Sequence, residues 1–414
     1  AVDYVFRYPY GCMEQRSSRI FPLVAFSEYM KAFDLNNEVK YPKLVAKKEI
    51  KSWKKIQMQS GGFPYWPNDS READLYVSMR IAEIIALAQE KDVVDMDDTG
   101  IDLGSLGQYI QNQLNKINGY ADPDNSYKCY LTAYGYYVMS RIGRVISAEE
   151  IQAVAENPKS DLNALALCAL TYLEIDEEGK AKSLAKKIKN YAQYSTRGIT
   201  LNSTQGVFNY WNYYNDAAED FALTLMLFSK LSPKDDINAR LVYELLTLEN
   251  QTKGYWKSTA VTNRVLSALD VYIRANDLTK TNLTAEALID GHKFVEGKFK
   301  GVAALPVDNR IKFAEEPLKS LPREKELPVV INREGKGSLF YTVSMKYAVP
   351  ASKQTAAEQG ICLYTEIYDV KTGELVEADN LESGKVYREK VYVSSNLNRN
   401  YLALRVPVPS GAEI

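Results

Sequence analysis

The hydrophobic periodicity of the chain changes once, near residue 280, and this change separates two parts of different fold class. Up to about residue 278, apolar residues recur at intervals of three and four, as on the buried faces of helices. From about residue 283 the interval becomes two, as in half-buried strands. The sequence therefore predicts a multidomain chain in which helices come first and β modules follow.

The helical part contains a repeated turn. Three of the predicted helices follow a short segment with glycine, aromatic residues and tryptophan: GGFPYW at 61–66, GVFNYW at 206–211 and GYW at 254–256. Helical hairpins that cannot bury their apolar faces alone must stack or close into a ring. No polar capping repeat is visible at either end. We therefore predict a closed α/α toroid of about six helical hairpins over residues 1–280.

Two local signals predict where helices begin. Ser147 with Glu150 matches a capping box, in which each side chain bonds to the other residue's backbone N–H. Ser232-Pro233 predicts a helix with proline at its first position.

After residue 280 the alternating segments predict strands at 338–349, 361–370, 387–395 and 401–409. The segment DVKTGELV contains the Thr-Gly pair of a hairpin turn, and the proline-rich segment 315–328 is typical of a linker between two β modules.

Charge and composition exclude several classes of function. The 414 residues carry a net charge of −2, so nothing points to a nucleic-acid-binding surface. No apolar run is long enough to span a bilayer, and no signal peptide opens the chain. Because the sequence starts without Met, we expect a fragment of a longer protein. The single histidine, His292, excludes a two-histidine metal site, and no cofactor is indicated.

The most reactive pair in the sequence is Cys12 with Gln15, in YPYGCMEQR at 8–16. Residues three apart on a helical turn lie side by side. A Cys12 thiolate could attack the side-chain carbonyl of Gln15 and expel ammonia, leaving an internal thioester, and proximity makes this attack unimolecular. Backbone N–H groups at the start of the helix would stabilise the charges involved. Cys129 and Cys168 fall in apolar helical patterns, which predict buried free thiols.

A thioester is an electrophile that reacts once, and water competes with the intended nucleophile. The site must therefore be kept dry, and large side chains near it are suited to that purpose. The residues predicted to shield or line the site are Tyr8, Tyr10, Met13, Glu14, Tyr65 and Trp66.

The segment around Cys12 resembles the thioester signature of the α2-macroglobulin and complement superfamily, in wording similar to its bacterial branch. The signature is Pro-x-Gly-Cys-x-Glu-Gln, matched here by Pro9, Gly11, Cys12, Glu14 and Gln15. Met13 replaces the glycine that is usual in animal members. The segments GGFPYWPNDSREADLYVSMRIAEII, GYWKSTAVTNRVLSALDVYI, GKGSLFYTVSMKYA and ALRVPVPSGAEI also look like bacterial members, so the resemblance covers most of the chain.

The resemblance implies a covalent protease inhibitor rather than an enzyme. In the family, a protease cuts a bait segment, the molecule rearranges, and the thioester acylates a lysine of the protease. It also implies domains at 1–280 (thioester toroid), 281–330 (part of a CUB-like β domain and linker) and 331–414 (an incomplete macroglobulin-like sandwich). Further macroglobulin domains, a bait and a lipid anchor in the periplasm or at the cell surface would lie outside this chain. In some members of the family, a histidine inside the toroid first takes the acyl group and then passes it to hydroxyls. Because the single histidine of this chain, His292, follows the toroid, we expect direct attack by amines and poor transfer to hydroxyls.

Three other interpretations remain open on the sequence alone. A surface adhesin could use the same thioester to capture host amines. A decayed scaffold would keep Cys12 as a free thiol. Squalene-type terpene cyclases share the toroid, and DMDD at 95–98 and QTKGYW at 251–256 partly match their motifs. The DMDD segment is polar and rich in turn residues, whereas a cyclase needs its acid, here Asp97, in an apolar cavity.

Overall fold

The structure is a computed structural model that describes the chain in segments. The described residues are 1–28, 39–69, 71–119, 126–194, 198–201, 217–252, 254–301, 304–316, 318–321, 326–348, 361–395, 403–406, 408 and 411–414. The chain forms two compact units, residues 1–340 and residues 341–414. The predicted turn at 206–211 lies outside the described residues.

Helices occupy the first unit up to residue 275. Within the described segments they are α1 (Val2–Phe6), α2 (Met13–Ala25), α3 (Pro42–Ser52), α4 (Leu75–Glu90), α5 (Met96–Thr99), α6 (Leu103–Gly119), α7 (Ser126–Arg141), α8 (Ala148–Ala155), α9 (Leu162–Glu174), α10 (Glu178–Lys189), α11 (Ala217–Leu231), α12 (Asp236–Thr252) and α13 (Thr259–Ala275).

Six of these helices close into an inner ring. In order α2, α4, α7, α9, α11 and α13, each packs against the next, and α13 packs against α2. The outer helices α6, α8, α10 and α12 each cover the two inner helices that flank them in sequence. The inner helices are apolar on most sides because they face both the ring interior and the outer layer. The prediction of a closed α/α toroid followed by β modules is confirmed.

The inner helices run parallel, because matching ends of neighbouring helices are bonded to each other. At their C-terminal ends, Arg141 of α7 pairs with Glu90 of α4 at 2.7 Å, and Lys230 of α11 pairs with Glu174 of α9 at 2.7 Å. The inner N-termini therefore meet at one end of the ring, which we call the N-terminal end. The positive ends of the helix dipoles converge there.

Side-chain caps account for the starts of several helices. Asp74, Asp161 and Ser258 accept hydrogen bonds from backbone N–H groups in the first turns of α4, α9 and α13. The capping box predicted for Ser147 and Glu150 is present at α8 and is confirmed.

The helix start predicted at Pro233 is wrong. Pro233 lies in a turn and α12 begins at Asp236, because the carboxylate of Asp235 accepts the N–H of Ile237 at 3.2 Å. A capping aspartate two residues downstream therefore overrides the preference of proline for a first helical position.

Strands of the first unit are β1 (Ala192–Tyr194), β2 (Ile199–Leu201), β3 (Asn282–Ile289), β4 (His292–Lys300) and β5 (Val329–Lys336). Antiparallel β1 and β2 form a small hairpin beside α12, and β4-β3-β5 form an antiparallel sheet. In the second unit, β6 (Ile361–Asp369), β7 (Leu375–Val376) and β8 (Tyr387–Ser395) form an antiparallel sheet in the order β7-β6-β8.

The predicted strands agree with the structure only in part. Those at 361–370 and 387–395 are confirmed as β6 and β8, and the Thr-Gly hairpin joins β6 to β7. A strand is predicted at 338–349, but the described residues of that segment, 338–348, carry none. Alternation shows that a segment can pair, not that a partner strand lies beside it. In the predicted strand at 401–409, the described residues 403–406 and 408 carry no strand. The other residues of that segment are not among those that the structure describes. The domain limits stay predictions, although β5 spans residue 330.

Candidate functional site

The reactive turn lies at the N-terminal end of the ring, where α2 begins. Cys12 is the N-cap residue with extended backbone, and Gln15 occupies the third helical position. The backbone N–H of Gln15 donates to the Cys12 sulfur, and the backbone N–H of Cys12 donates to the Gln15 Oε1 at 3.4 Å. Extended backbone at the cap turns the cysteine side chain back over the first turn. The sulfur and the amide group are thus held on the same turn by reciprocal bonds.

The Cys12 side chain is only 1% exposed, and its surroundings act on the sulfur in opposite directions. Burial raises the pKa of the Cys12 thiol, since the thiolate loses its hydration. Hydrogen bonds from the Gln15 backbone, the Tyr65 side chain and the Glu14 backbone act to lower it. The sulfur is therefore dry, yet surrounded by donors that stabilise negative charge.

The first repeated turn, GGFPYW, lies directly against the reactive turn. The backbone N–H of Met13 donates to the carbonyl oxygen of Tyr65 at 2.9 Å, one residue after Cys12. Gly61 has φ of 90°, and a Cβ there would lie 2.1 Å from the Ser105 carbonyl oxygen. Glycine is therefore required for this turn to pack on α6.

The last repeated turn reaches the same place from the other side of α2, where α13 packs. Glu14 is 7% exposed, and its carboxylate accepts hydrogen bonds from Ser18 Oγ at 2.7 Å and Thr259 Oγ1 at 2.9 Å. Thr259 opens α13, immediately after the GYW turn at 254–256, and Tyr255 of that turn stacks on Tyr4 at 4.3 Å. The bond between Glu14 and Thr259 closes the ring where the reactive pair lies.

The other predicted shielding residues differ in exposure. Met13 is fully buried, and the ring of Tyr8 lies between those of Tyr4 and Tyr10, at 5.5 and 5.8 Å. The side chains of Tyr10 and Trp66 are 61% and 51% exposed. The structure thus brings Met13, Glu14 and Tyr65 against the reactive pair, whereas Tyr10 and Trp66 lie at the surface. A shielding role stays a prediction for all of them.

Two other candidate sites in the sequence, His292 and the DMDD segment, lie away from the reactive turn. His292 is exposed in the β3–β4 hairpin, next to Asp290 and Gly291 with positive φ, as expected for a surface turn. Asp98 is exposed and pairs with Lys47 of α3 at 3.0 Å, and Asp95 is exposed as well. These two acids of the DMDD segment are therefore in contact with solvent, unlike the acid of a cyclase, and the side chain of Asp97 is not among those described.

Within the described residues, no group of His, Cys, Asp or Glu side chains is arranged to hold a metal ion. The same residues contain no helix both long and apolar enough to cross a membrane. None of the four cysteines is joined in a disulfide, and Cys129 and Cys168 are buried as predicted.

A buried charge cluster inside the ring was missed on the sequence. We call it the central cluster; its members are Arg80, Glu83, Tyr130, Tyr134, Glu219 and Arg264. Glu83 accepts bonds from Arg80 at 2.8 Å and Tyr134 at 2.7 Å and is paired with Arg264. Glu219 accepts from Tyr130 at 2.8 Å and lies 3.7 Å from Arg264. Charged residues inside the apolar stretches of α4 and α13 were the signal available in the sequence.

The pKa values of the two carboxyl groups in the central cluster are shifted in opposite directions. Burial alone would disfavour the Glu83 carboxylate, but Arg264, Arg80 and Tyr134 outweigh it and lower the pKa of Glu83 to about 2. Burial raises the pKa of Glu219 to about 7, against the opposing influence of Arg264 and Tyr130. Glu83 is therefore a fixed anion, whereas Glu219 readily holds a proton.

We expect Thr259→Val to lower the free energy of unfolding of the helical ring by about 1–3 kcal/mol, because it leaves the buried Glu14 carboxylate with one donor fewer. Thr224→Val is the matched control. Thr224 is also buried in an inner helix, but its hydroxyl has no hydrogen-bond partner among the residues that the structure describes, so the change should be neutral or stabilising. Denaturant unfolding followed by tryptophan fluorescence measures both. Equal losses for the two variants would contradict the proposed importance of the Glu14 bond.

The fold and site together define a closed α/α toroid with a cysteine and a glutamine paired at the start of an inner helix, followed by antiparallel sheets. No family model and no curated protein matches the sequence. Solved structures of bacterial α2-macroglobulins do match in fold. The native Escherichia coli protein, from domain MG7 to the C-terminus, aligns with TM-score 0.51 and 16% identity, covering 96% of this chain and 57% of that one.

Two further structures align equally well. They are Escherichia coli α2-macroglobulin activated by porcine elastase (TM-score 0.51, 15% identity, 94% of this chain and 32% of that one) and Salmonella α2-macroglobulin reacted with methylamine (0.51, 15%, 95% and 24%). The chain thus spans little more than half, or less, of the proteins it matches. It has an α2-macroglobulin-like fold, and at this level of identity the likeness concerns the fold alone.

Proposed function

We propose that this chain is the thioester-bearing part of a protein that traps proteases covalently. The observation that carries the proposal is the pairing of Cys12 with Gln15: both lie on one turn, joined by reciprocal hydrogen bonds, with the sulfur buried. Support comes from structures of the same fold, one activated by porcine elastase and one reacted with methylamine.

The thioester would form by a reaction between the side chains of Cys12 and Gln15, assisted by the backbone of the reactive turn. The Cys12 sulfur attacks the side-chain carbonyl carbon of Gln15, the carbon–nitrogen bond breaks, and the thiol proton leaves with the nitrogen as ammonia. The N–H of Cys12 donates to the Gln15 oxygen and so stabilises the negative charge that develops there. Burial of Cys12 keeps water away from the product.

The product stores the reactivity until an amine reaches it. A lysine amine of an attacking protease takes the acyl group from the sulfur and becomes joined to Gln15 by an amide bond. The chain is consumed in this single event, so it acts as an inhibitor and not as an enzyme. Bait cleavage and rearrangement would expose the site, with the bait and further domains outside this chain. We place its action in the periplasm or at the cell surface, by its resemblance to the bacterial family.

Intact-mass measurement of fresh protein tests the proposal. The chain should be lighter than its sequence mass by one ammonia and should show three of its four thiols. Methylamine should then add at Gln15 and release the thiol of Cys12. An unshifted mass with four free thiols would mean that Cys12 is an ordinary buried cysteine. If the thioester forms, but captures surface amines without any proteolytic trigger in the longer protein, the adhesin interpretation is favoured.

A further inference from the structure

The helix α3 has one buried side and one exposed side that carries both lysines and apolar residues. Residues 40–55 contain seven lysines and a single acid, Glu49. Ala46, Ile50 and Trp53 are fully buried, and α3 packs against α2. The opposite side follows at helical spacing and is exposed; we call it the α3 surface, and its residues are Tyr41, Leu44, Val45, Lys48, Lys54 and Lys55.

The start of α3 exposes a patch of large apolar side chains. Leu44 is 62% exposed, Tyr41 59% and Val45 44%. One exposed apolar residue is ordinary on a protein surface, but adjacent ones on the same helix side form a continuous patch. Lys40 Nζ lies 5.5 Å from the centre of the Tyr41 ring, so even this apolar end of the helix carries positive charge.

The other end of the α3 surface has an excess of positive charge. Lys47 and Lys51 share one carboxylate, that of Asp98, at 3.0 and 3.6 Å. Three lysines form no ion pair with any residue that the structure describes, and these are Lys48, Lys54 and Lys55. Although the whole chain has a net charge of only −2, this helix therefore presents a local positive field.

Bonds at both ends hold α3 in place. Near its C-terminal end, Glu49 pairs with Arg16 of α2 at 2.6 Å and accepts the indole N–H of Trp53 at 3.1 Å. Near its N-terminal end, Lys43 Nζ donates to the carbonyl oxygen of Lys91, the C-cap of α4, at 3.1 Å. The α3 surface is thus preformed, and a partner would not have to order it on binding.

Among the helices that the structure describes, only α3 combines unpaired lysines with exposed large apolar residues. The helix α10 is rich in lysine, but its large apolar residues Leu184 and Ile188 are not exposed. The helix α12 exposes Tyr243 and Leu246, yet its acids outnumber its single basic residue. The combination in α3 is therefore not a general property of the outside of this fold.

We propose that the α3 surface docks the helical ring onto a membrane surface that contains anionic lipids. Lysines near such a surface are attracted by the lipid phosphates, and apolar side chains enter the boundary between headgroups and acyl chains. Tyrosine is favoured at the same depth. The exposed side of a helix is convex, so a fluid lipid surface fits it, whereas an acidic protein would have to offer a matching groove. A nucleic acid would use the lysines and leave the apolar residues in water.

Vesicle sedimentation with the 414-residue chain tests the proposal. We expect binding to phosphatidylcholine vesicles that contain about 30% phosphatidylglycerol, and none to phosphatidylcholine alone. Binding should weaken as NaCl rises from about 0.1 M to about 0.5 M. The double variant Lys48→Gln/Lys55→Gln should lower the partition coefficient about 10- to 30-fold. Leu44→Ser, which leaves every charge in place, should lower it about 5- to 20-fold.

The matched control is Lys182→Gln/Lys186→Gln, which removes the same charge from exposed positions of α10 and should bind as the unmodified chain does. Equal losses in the two double variants would show attraction by overall charge and would overturn the proposal. Unchanged binding of Leu44→Ser would overturn it as well, since no apolar side chain then enters the lipid. If the chain ignores vesicles but binds polyglutamate, and Lys48→Gln/Lys55→Gln does not, the surface belongs to an acidic protein partner instead.

Discussion

Replacing Glu83 by glutamine is expected to lower the free energy of unfolding of the helical ring by about 3–5 kcal/mol. Glu83 is the shared anion of the central cluster, bonded to Arg80 and Tyr134 and paired with Arg264. Glutamine has nearly the same shape but no charge, so two buried guanidinium groups would lose their main counter-charge. Removing one partner of a buried ion pair is costly because the other charge stays desolvated.

Tryptophan fluorescence is the appropriate measurement. The four tryptophans, Trp53, Trp66, Trp211 and Trp256, all belong to the helical part of the chain, so their signal reports unfolding of the ring and not of the second unit. Denaturant titrations of the unmodified chain and of Glu83→Gln then give the difference in free energy.

Glu219→Gln is the matched control, because it makes the same change in the same cluster with an opposite expectation. The folded chain holds the Glu219 proton up to about pH 7, whereas an unfolded glutamate releases it near its ordinary value of 4.5. Between those values the folded state binds more protons, so this group's contribution to stability is full below the lower pKa and is lost as pH rises through the higher one.

Glutamine at position 219 cannot titrate, so Glu219→Gln removes this pH dependence. From about pH 5 to about pH 8, its stability relative to the unmodified chain should rise by about 1–3 kcal/mol, and near pH 8 it should be close to neutral or stabilising. Equal destabilisation by Glu83→Gln and Glu219→Gln at pH 8 would contradict the distinct roles of the two carboxyl groups.

Changing Gln15 to glutamate should abolish the thioester altogether. Glutamate keeps an oxygen for the N–H of Cys12 and nearly the same shape, so the fold of the reactive turn should be retained. A carboxylate has no ammonia to expel and is a poor electrophile, so the sulfur gains no acyl group. Fresh protein should show the full sequence mass, four free thiols and no methylamine incorporation, under conditions where the unmodified chain reacts completely.

Cys362→Ser is the control for the thiol count. Cys362 is the half-buried thiol of the second unit, so its loss removes one thiol while leaving the ammonia deficit and the methylamine reaction unchanged. Cys12→Ser should behave like Gln15→Glu toward amines. Methylamine addition at residue 15 in Gln15→Glu, or an ammonia deficit in Cys12→Ser, would show that the bond does not join Cys12 to Gln15.

Much of the fold could be predicted because its signals are local. Helical periodicity, the capping box at Ser147 and the alternation in β6 and β8 each depend on neighbours in sequence. The errors came where a distant or competing partner decides. Residues 338–348 alternate, yet the described structure pairs them with no strand, and Pro233 lost its helical position to the cap at Asp235.

The sequence by itself determined the reactive pair, because Cys12 and Gln15 are three residues apart and any helical turn places such residues side by side. Only the tertiary structure decided what surrounds them. Thr259 reaches Glu14, and the carbonyl oxygen of Tyr65 reaches Met13, because a closed ring brings the N-termini of its parallel inner helices to one end. The central cluster has the same origin: its six members lie on four helices, and their pairing depends on how the ring closes.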